Sequence, residues 1–192
     1  MILLASSSVT RMRLLRDAGV EFTVGPTAAD ERRIKAVSGL GPADLAEHLA
    51  AAKAHAVSTE PGAFVIGADQ TLELDGARLD KPQTAAMARR QLLALRGRSH
   101  QLHTAAAIVR DGATVWAARR TAILRVRAFS DAWLEDYLER CGAVILGSAG
   151  AYHLEGLGAQ LFEHIDGDYF SVLGLPLVEL LGALRELGAL QS

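Results

Sequence analysis

Five consecutive apolar residues, Phe64-Val65-Ile66-Gly67-Ala68, stop abruptly at Asp69-Gln70. Such a run reads as a buried strand, which the rest of the chain must enclose. The carboxylate that ends it is fixed by the strand and reached through the loop beyond. That is a frequent position for a catalytic base or a metal ligand; an ordinary turn aspartate is the bland alternative. Asp75-Gly76 then signals a tight hairpin. With a two-residue loop, Leu74 pairs with Ala77, Leu72 with Leu79 and Gln70 with Lys81, while Glu73 and Arg78 pair on the other face. Lys81 thereby returns to within reach of Gln70 and Asp69, although strict alternation puts Asp69 and Lys81 on opposite faces and Pro82 stops the strand.

The elements alternate in type along the chain, which favours a mixed α/β architecture. Residues 2–5 read as a short buried strand. Ser6 to Ser8 supply N-cap chemistry for a helix carrying Met12, Leu14, Leu15 and Ala18, which Gly19 ends. A second helix starts near Pro42 and places Leu45, Leu49, Ala52 and Ala56 on one stripe, with Lys53 at its edge. A third runs from about Thr84 to Leu95 with Ala88, Leu92 and Leu95 inward. Asp111-Gly112 marks another hairpin, leading into a strand in which Ala122, Leu124 and Val126 alternate with Thr121, Ile123, Arg125 and Arg127. Ser130 or Asp131 caps a fourth helix. After Pro176, residues Leu177, Leu180, Leu181, Leu184 and Leu187 lie at helical spacing, with Gly188 behind them.

Half of the 192 residues are hydrophobic and 22% are charged, so the chain can bury a sizeable core as one domain or as two closely joined lobes. A formal net charge of -2 argues against a nucleic-acid polymer or an anionic membrane as partner, because both are held by broad phosphate neutralisation. Any anion handled should be small. The opening run Ile2-Leu3-Leu4-Ala5 is far too short for a signal peptide or a membrane span, which points to the cytoplasm. The lone Cys141 reads as a buried structural thiol.

The polar interruptions carry the chemistry. A strand running into Ser6-Ser7-Ser8 and a helix N-terminus presents backbone N–H groups, hydroxyls and the positive end of a helix dipole to one point. Arg11, one turn on, can aim a planar donor fork at the same place. Serine capping beside a solvated arginine would explain these residues equally well. His100 and His103 fall on opposite faces of a strand, which disfavours a metal site, and His48 and His55 read as surface groups. Tyr169 and Phe170 read as core packing, and Asp168 either supports a metal or caps a turn.

In order over nearly the whole chain, several stretches resemble one family. They are Leu4-Ala5-Ser6-Ser7-Ser8 with Arg11 and Leu14-Leu15, Asp30-Glu31, Ala52-Lys53-Ala54, Ile66-Gly67-Ala68-Asp69-Gln70, Lys81-Pro82, Gly97 followed by His100, and Gly174-Leu175-Pro176-Leu177. The family is Maf, nucleoside triphosphate pyrophosphatases first associated with inhibition of septum formation. The resemblance implies conversion of a nucleoside triphosphate to the monophosphate and pyrophosphate with a divalent cation, Mg²⁺, Mn²⁺ or Co²⁺, often on modified nucleotides. It implies one domain over 1–192, a mixed central sheet flanked by helices in two lobes with a cleft and no separable linker, similar to inosine triphosphatases and usually a homodimer.

By the same resemblance Asp69 accepts the proton of the attacking water, Ser8, Arg11, Lys53 and Lys81 handle phosphate, and Glu31 binds the metal beside Asp69. Gln70 and Glu155 resemble the branch acting on 7-methyl-GTP. Thr10 stands where that branch typically has Trp and where many other relatives have Arg. A regulator of cell division that binds nucleotide without turnover is the expectation from a different class.

Overall fold

A computed structural model describes residues 1–26, 28–57 and 59–191 of the chain. The apolar run belongs to β3 (Phe64–Leu74), whose buried stretch continues through Thr71 and Leu72. β3 lies in a seven-stranded mixed sheet with β1 (Ile2–Ala5), β2 (Thr23–Val24), β4 (Ala77–Leu79), β5 (Ser99–Arg110), β6 (Ala113–Val126) and β7 (Phe162–Asp166). The strand order is β2-β1-β3-β5-β6-β7, with β4 paired to β3. β1 is parallel to both neighbours, its Ile2 opposite Phe64 and its Ala5 opposite Gly67. The helices are α1 (Val9–Asp17), α2 (Glu31–Val37), α3 (Pro42–His55), α4 (Ala85–Leu95), α5 (Asp131–Cys141), α6 (Tyr169–Val172) and α7 (Leu177–Glu186). Among the described residues no helix is long and apolar enough to cross a membrane.

The chain forms two compact units, Met1–Gln70 with His103–Thr121 and Asp168–Ser192, and Thr71–Leu102 with Ala122–Gly167. In the first unit β3 is covered on both faces, and its side chains alternate between them. Phe64, Ile66 and Ala68 join Ile2, Leu4, Ala106 and Ile108 in a core with Leu14 and Leu15 of α1 and Leu177, Leu180 and Leu184 of α7. On the other face Val65, Ala5 and Val109 meet Ala54, and Ala105 meets Ala46 and Ala50. α3 presents alanines because it lies almost in contact with the strand backbone. A Cβ added at Gly67 would run into the carbonyl oxygen of Ala50 and stand 2.8 Å from the nitrogen of Ala54. Gly67 is therefore required by close approach.

Two helix expectations change. The buried stripe of α3 is Leu45, Ala46, Leu49, Ala50, Lys53 and Ala54, so Lys53 lies within it, while Ala52 and Ala56 are half-buried. A helix seated this closely buries a broader face, and the small residues set its rotation. α2 has no counterpart in the apolar patterning because none of its residues is buried. Its start is fixed instead by Asp30, whose side chain accepts from Arg33 N at 3.0 Å.

In the second unit the Asp75-Gly76 turn has positive φ at both residues, and the ladder pairs Leu72 with Leu79, Glu73 with Arg78 and Leu74 with Ala77, in the expected register. Ala88, Leu92 and Leu95 of α4 are buried, as are Ala122, Leu124 and Val126 of β6, and Ser130 caps α5. Cys141 is half-buried, because it ends α5 where the helix leaves the core. Buried His100 shares a 2.7 Å hydrogen bond with the Tyr152 hydroxyl, and its Nδ1 has no partner among the described residues. Back in the first unit, Asp168 caps α6, accepting from Phe170 N and Ser171 N; Phe170 packs on the core but Tyr169 is 55% exposed. A single-turn helix can turn only one of two adjacent rings inward.

Gly67→Ala is expected to destabilise the protein by about 3 kcal/mol, the upper range for overpacking against a backbone that cannot yield; an unchanged urea midpoint would show that α3 can retreat. Burial lowers the pKa of His100 from 6.5 to about 4. Above pH 6.5 the imidazole is neutral folded or unfolded and the shift has no effect on stability. Between 6.5 and 4 the unfolded chain takes up a proton that the folded chain does not, so stability falls as pH falls, by up to about 3 kcal/mol. His100→Gln should flatten the dependence of unfolding free energy on pH over that window, and a parallel curve would remove His100 as its source.

Candidate functional site

Because β1 and β3 run parallel with Ala5 opposite Gly67, the chain leaves β1 beside the middle of β3, which runs on through Asp69, its sixth residue, to Leu74 rather than ending there as the sequence suggests. Open α/β sheets bind ligands at the carboxyl ends of their strands, where loops and helix N-termini converge. β1 runs into the three serines. Ser8 N-caps α1, its Oγ accepting from Arg11 N at 3.4 Å, while the buried Ser6 Oγ accepts from Ser8 N at 3.3 Å and from Arg11 Nη1 at 3.2 Å. Thr10, half-buried, is the second residue of the helix.

Arg11 is buried, and its donors serve the protein. Nε donates to the carbonyl of Gly174 at 2.8 Å and Nη1 to the carbonyl of Ala68 at 3.0 Å. Desolvation by burial lowers its pKa, opposed by the negative fields of Asp69 and Glu31, and a guanidinium so placed stays charged. Arg11 thus joins the middle of β3, the start of α1 and the Gly174 loop while contributing a fixed positive charge.

Asp69 follows Val65 and Gly67 in the alternation and so projects to the α3 side. There Lys53 donates to Asp69 Oδ1 at 2.6 Å, lies 3.1 Å from Glu31 Oε1, and reaches the carbonyl of Ala68 at 3.5 Å. The Lys53 and Asp69 side chains are 6% and 9% exposed, that of Glu31 37%. A Lys–Asp pair this deep is not a surface ion pair of negligible worth; removing one partner alone would cost about 3–5 kcal/mol. Asp69 Oδ2, also buried, has no hydrogen-bond partner among the described residues. Buried polar atoms are nearly always satisfied, so an orphaned carboxylate oxygen marks a place where something else binds.

Gln70 projects to the opposite face. Its Nε2 donates to Thr104 Oγ1 at 2.7 Å, to Ser171 O at 2.9 Å and to Val172 O at 3.1 Å. Those carbonyls only accept, which fixes the amide orientation with nitrogen inward.

The site residues expected from sequence therefore divide by unit. Ser8, Thr10, Arg11, Glu31, Lys53, Asp69 and Gln70 belong to the first unit, and ion pairs join Lys53 to Asp69 and to Glu31. Lys81 and Glu155 belong to the second, both exposed, Lys81 beyond the end of β4 and Glu155 in the turn before the 3-10 segment Leu157–Leu161. Because β4 ends at Leu79, its ladder stops short of Lys81. Sequence reasoning gave no role to Thr104 or Ser171; a lone threonine in an apolar strand carries no spacing signal. Ser6, which the sequence marks only as part of the serine cluster after β1, turns out to hold Arg11 Nη1 and Ser8 N.

A family model described as Maf-like protein matches residues 1–187. A protein of Rhodospirillum rubrum named nucleoside triphosphate pyrophosphatase is 50% identical over 195 residues, covering 100% of this chain and 96% of its own. One of Brucella abortus named 7-methyl-GTP pyrophosphatase is 46% identical over 188 residues, covering 96% and 94%. A solved structure, a nucleoside-triphosphatase (dITP/XTP pyrophosphatase) of Mycobacterium abscessus, aligns over 96% of this chain and 99% of its own at 18% identity and a TM-score of 0.45. With its ordered motifs and a family match over 1–187, this chain belongs to the Maf-like protein family.

Proposed function

We propose that the chain is a nucleoside triphosphate pyrophosphatase, hydrolysing a nucleoside triphosphate with one water to the monophosphate and pyrophosphate. The observation that carries this reading is the buried Lys53–Asp69 pair with its unpartnered Oδ2, close in the chain fold to the Ser8-capped N-terminus of α1. Phosphoanhydride hydrolysis needs a base for water and positive charge for the phosphoryl oxygens. Asp69 serves as the proton acceptor. Lys53, Arg11 and Lys81 supply positive charge, with Ser8 and the α1 amides as neutral donors.

The residues fit a divalent cation. Among the described residues no three His, Cys, Asp or Glu side chains cluster, but Glu31 and Asp69 share one ammonium, and Asp69 keeps one oxygen unpartnered. Hard cations such as Mg²⁺ are commonly held by one or two carboxylates, with water and substrate phosphate completing the shell. Glu31 and Asp69 would hold it, and when bound it would offset charge developing on the phosphate oxygens.

For the base, the 7-methyl-GTP reading rests on Glu155, whose carboxylate suits a positively charged methylated guanine, and on the name of the Brucella relative. Homodimeric assembly belongs to the same reading and rests on the family resemblance.

The test is pyrophosphate release with Mg²⁺, Mn²⁺ or Co²⁺ from the canonical triphosphates and 7-methyl-GTP. Asp69→Asn should lower turnover by about 10³-fold, within the range for loss of a general base, while nucleotide affinity stays within about tenfold, or 1.4 kcal/mol. Full turnover by that variant would remove the base assignment. Nucleotide binding by the wild type without turnover would favour the regulator of cell division.

A further inference from the structure

The two residues that flank Asp69 are both anchored on the face opposite its carboxylate. The carbonyl of Ala68 receives Arg11 Nη1, and the side chain of Gln70 is drawn onto Thr104 and the segment 171–172. Arg11 Nε ends on Gly174 in the same segment. Thr104, only 1% exposed, stands at the junction: its hydroxyl accepts from Gln70 Nε2 and donates to Ser171 O at 2.8 Å. Ser171 O also accepts from Gly174 N at 2.9 Å. Segment 171–174 is thereby tied to the middle of β3 by Gln70, to β5 by Thr104 and to α1 by Arg11.

From this closed circuit we infer that Thr104 is a positioning residue, and that it acts with the side-chain amide of Gln70 as a strut. The inference rests on the reaction proposed above. Gln70 Nε2 has two hydrogens and three acceptors, all within the protein, so its donor capacity is already committed. A strand carrying a reactive carboxylate must be held to a fraction of an ångström, and Asp69 lies between Gly67, where the pairing with β1 ends, and Leu72, where the pairing with β4 begins. The strut fixes the peptide groups on either side of Asp69 and, through Gly174, the guanidinium of Arg11. Chain direction at Asp69 and the charge at the start of α1 are thus set by one hydrogen-bonded frame. Glutamate at position 70 would set a carboxylate against two carbonyls, and threonine would not span the gap to Val172. Only an amide of glutamine's length meets all three acceptors.

The experiment compares Thr104→Val, which keeps the shape and removes the hydroxyl, with Thr104→Ser, which keeps the hydroxyl. Amide hydrogen exchange over residues 168–175 reads the strut directly, and steady-state pyrophosphate release reads its consequence. Thr104→Val should speed exchange in that segment by about tenfold and lower kcat by about tenfold with KM changed less than threefold, the pattern of lost alignment. Thr104→Ser should restore both to near wild type. Unchanged exchange in Thr104→Val, equal impairment of the two variants, or a loss confined to KM would overturn the inference. A wild type that hydrolyses no triphosphate would sink the proposed reaction instead, and the exchange comparison would still decide the strut.

Discussion

An ammonium and a carboxylate removed together from water lose hydration that their mutual attraction does not fully return, and apolar residues of similar volume would serve the fold at least as well. The Lys53–Asp69 pair is buried nonetheless, on a helix whose other buried residues are leucines and alanines, with one carboxylate oxygen left without a partner among the described residues. Such a departure from consistent packing is where function is expected to lie. Three features converge on it. β3 must turn Asp69 to the α3 side, α3 must approach closely enough for Lys53 to reach, and Gly67 must carry no side chain for that approach to occur.

Seen from this pair, much of the first unit has a stated purpose. Parallel pairing of β1 with β3 sets Ala5 opposite Gly67, so the chain enters α1 beside the stretch of β3 that carries Asp69. Arg11 links that helix start to the carbonyl before Asp69, and Gln70 with Thr104 grips the residue after it. Glu31 reaches Lys53 from a helix that buries none of its own residues. A partly exposed carboxylate on a helix lacking buried residues can change partner at little cost to the core, which suits a ligand for an arriving cation.

The sequence made the strands, the hairpin register and most helix caps legible because each rests on local chemistry: alternation, positive-φ turn residues, or a hydroxyl ahead of an apolar stripe. α2 escaped because its start is set by one capping hydrogen bond and no stripe follows. The rotation of α3 was misjudged by about one residue. Alanines give apolar periodicity little contrast, and the decisive fact, Gly67 beneath the helix, is 17 residues away from Ala50 in the chain. Of the site, Asp69, Lys53 and Glu31 were named from family resemblance, with Asp69 also marked by the stop of the apolar run, although the strand itself continues to Leu74 because backbone pairing does not end where apolar residues do. That Arg11 and Gln70 would spend their donors on carbonyls of Ala68, Ser171, Val172 and Gly174 could not be read, since those carbonyls belong to backbone and have no residue signature.

The most direct measurement replaces both members of the pair by apolar residues, Lys53→Met with Asp69→Leu, and follows thermal unfolding and pyrophosphate release together. If the pair is kept for chemistry, the double variant melts cooperatively at or above the wild-type temperature and releases no pyrophosphate. Loss of the folded state would make the pair structural, and turnover at the wild-type rate would place the reaction elsewhere.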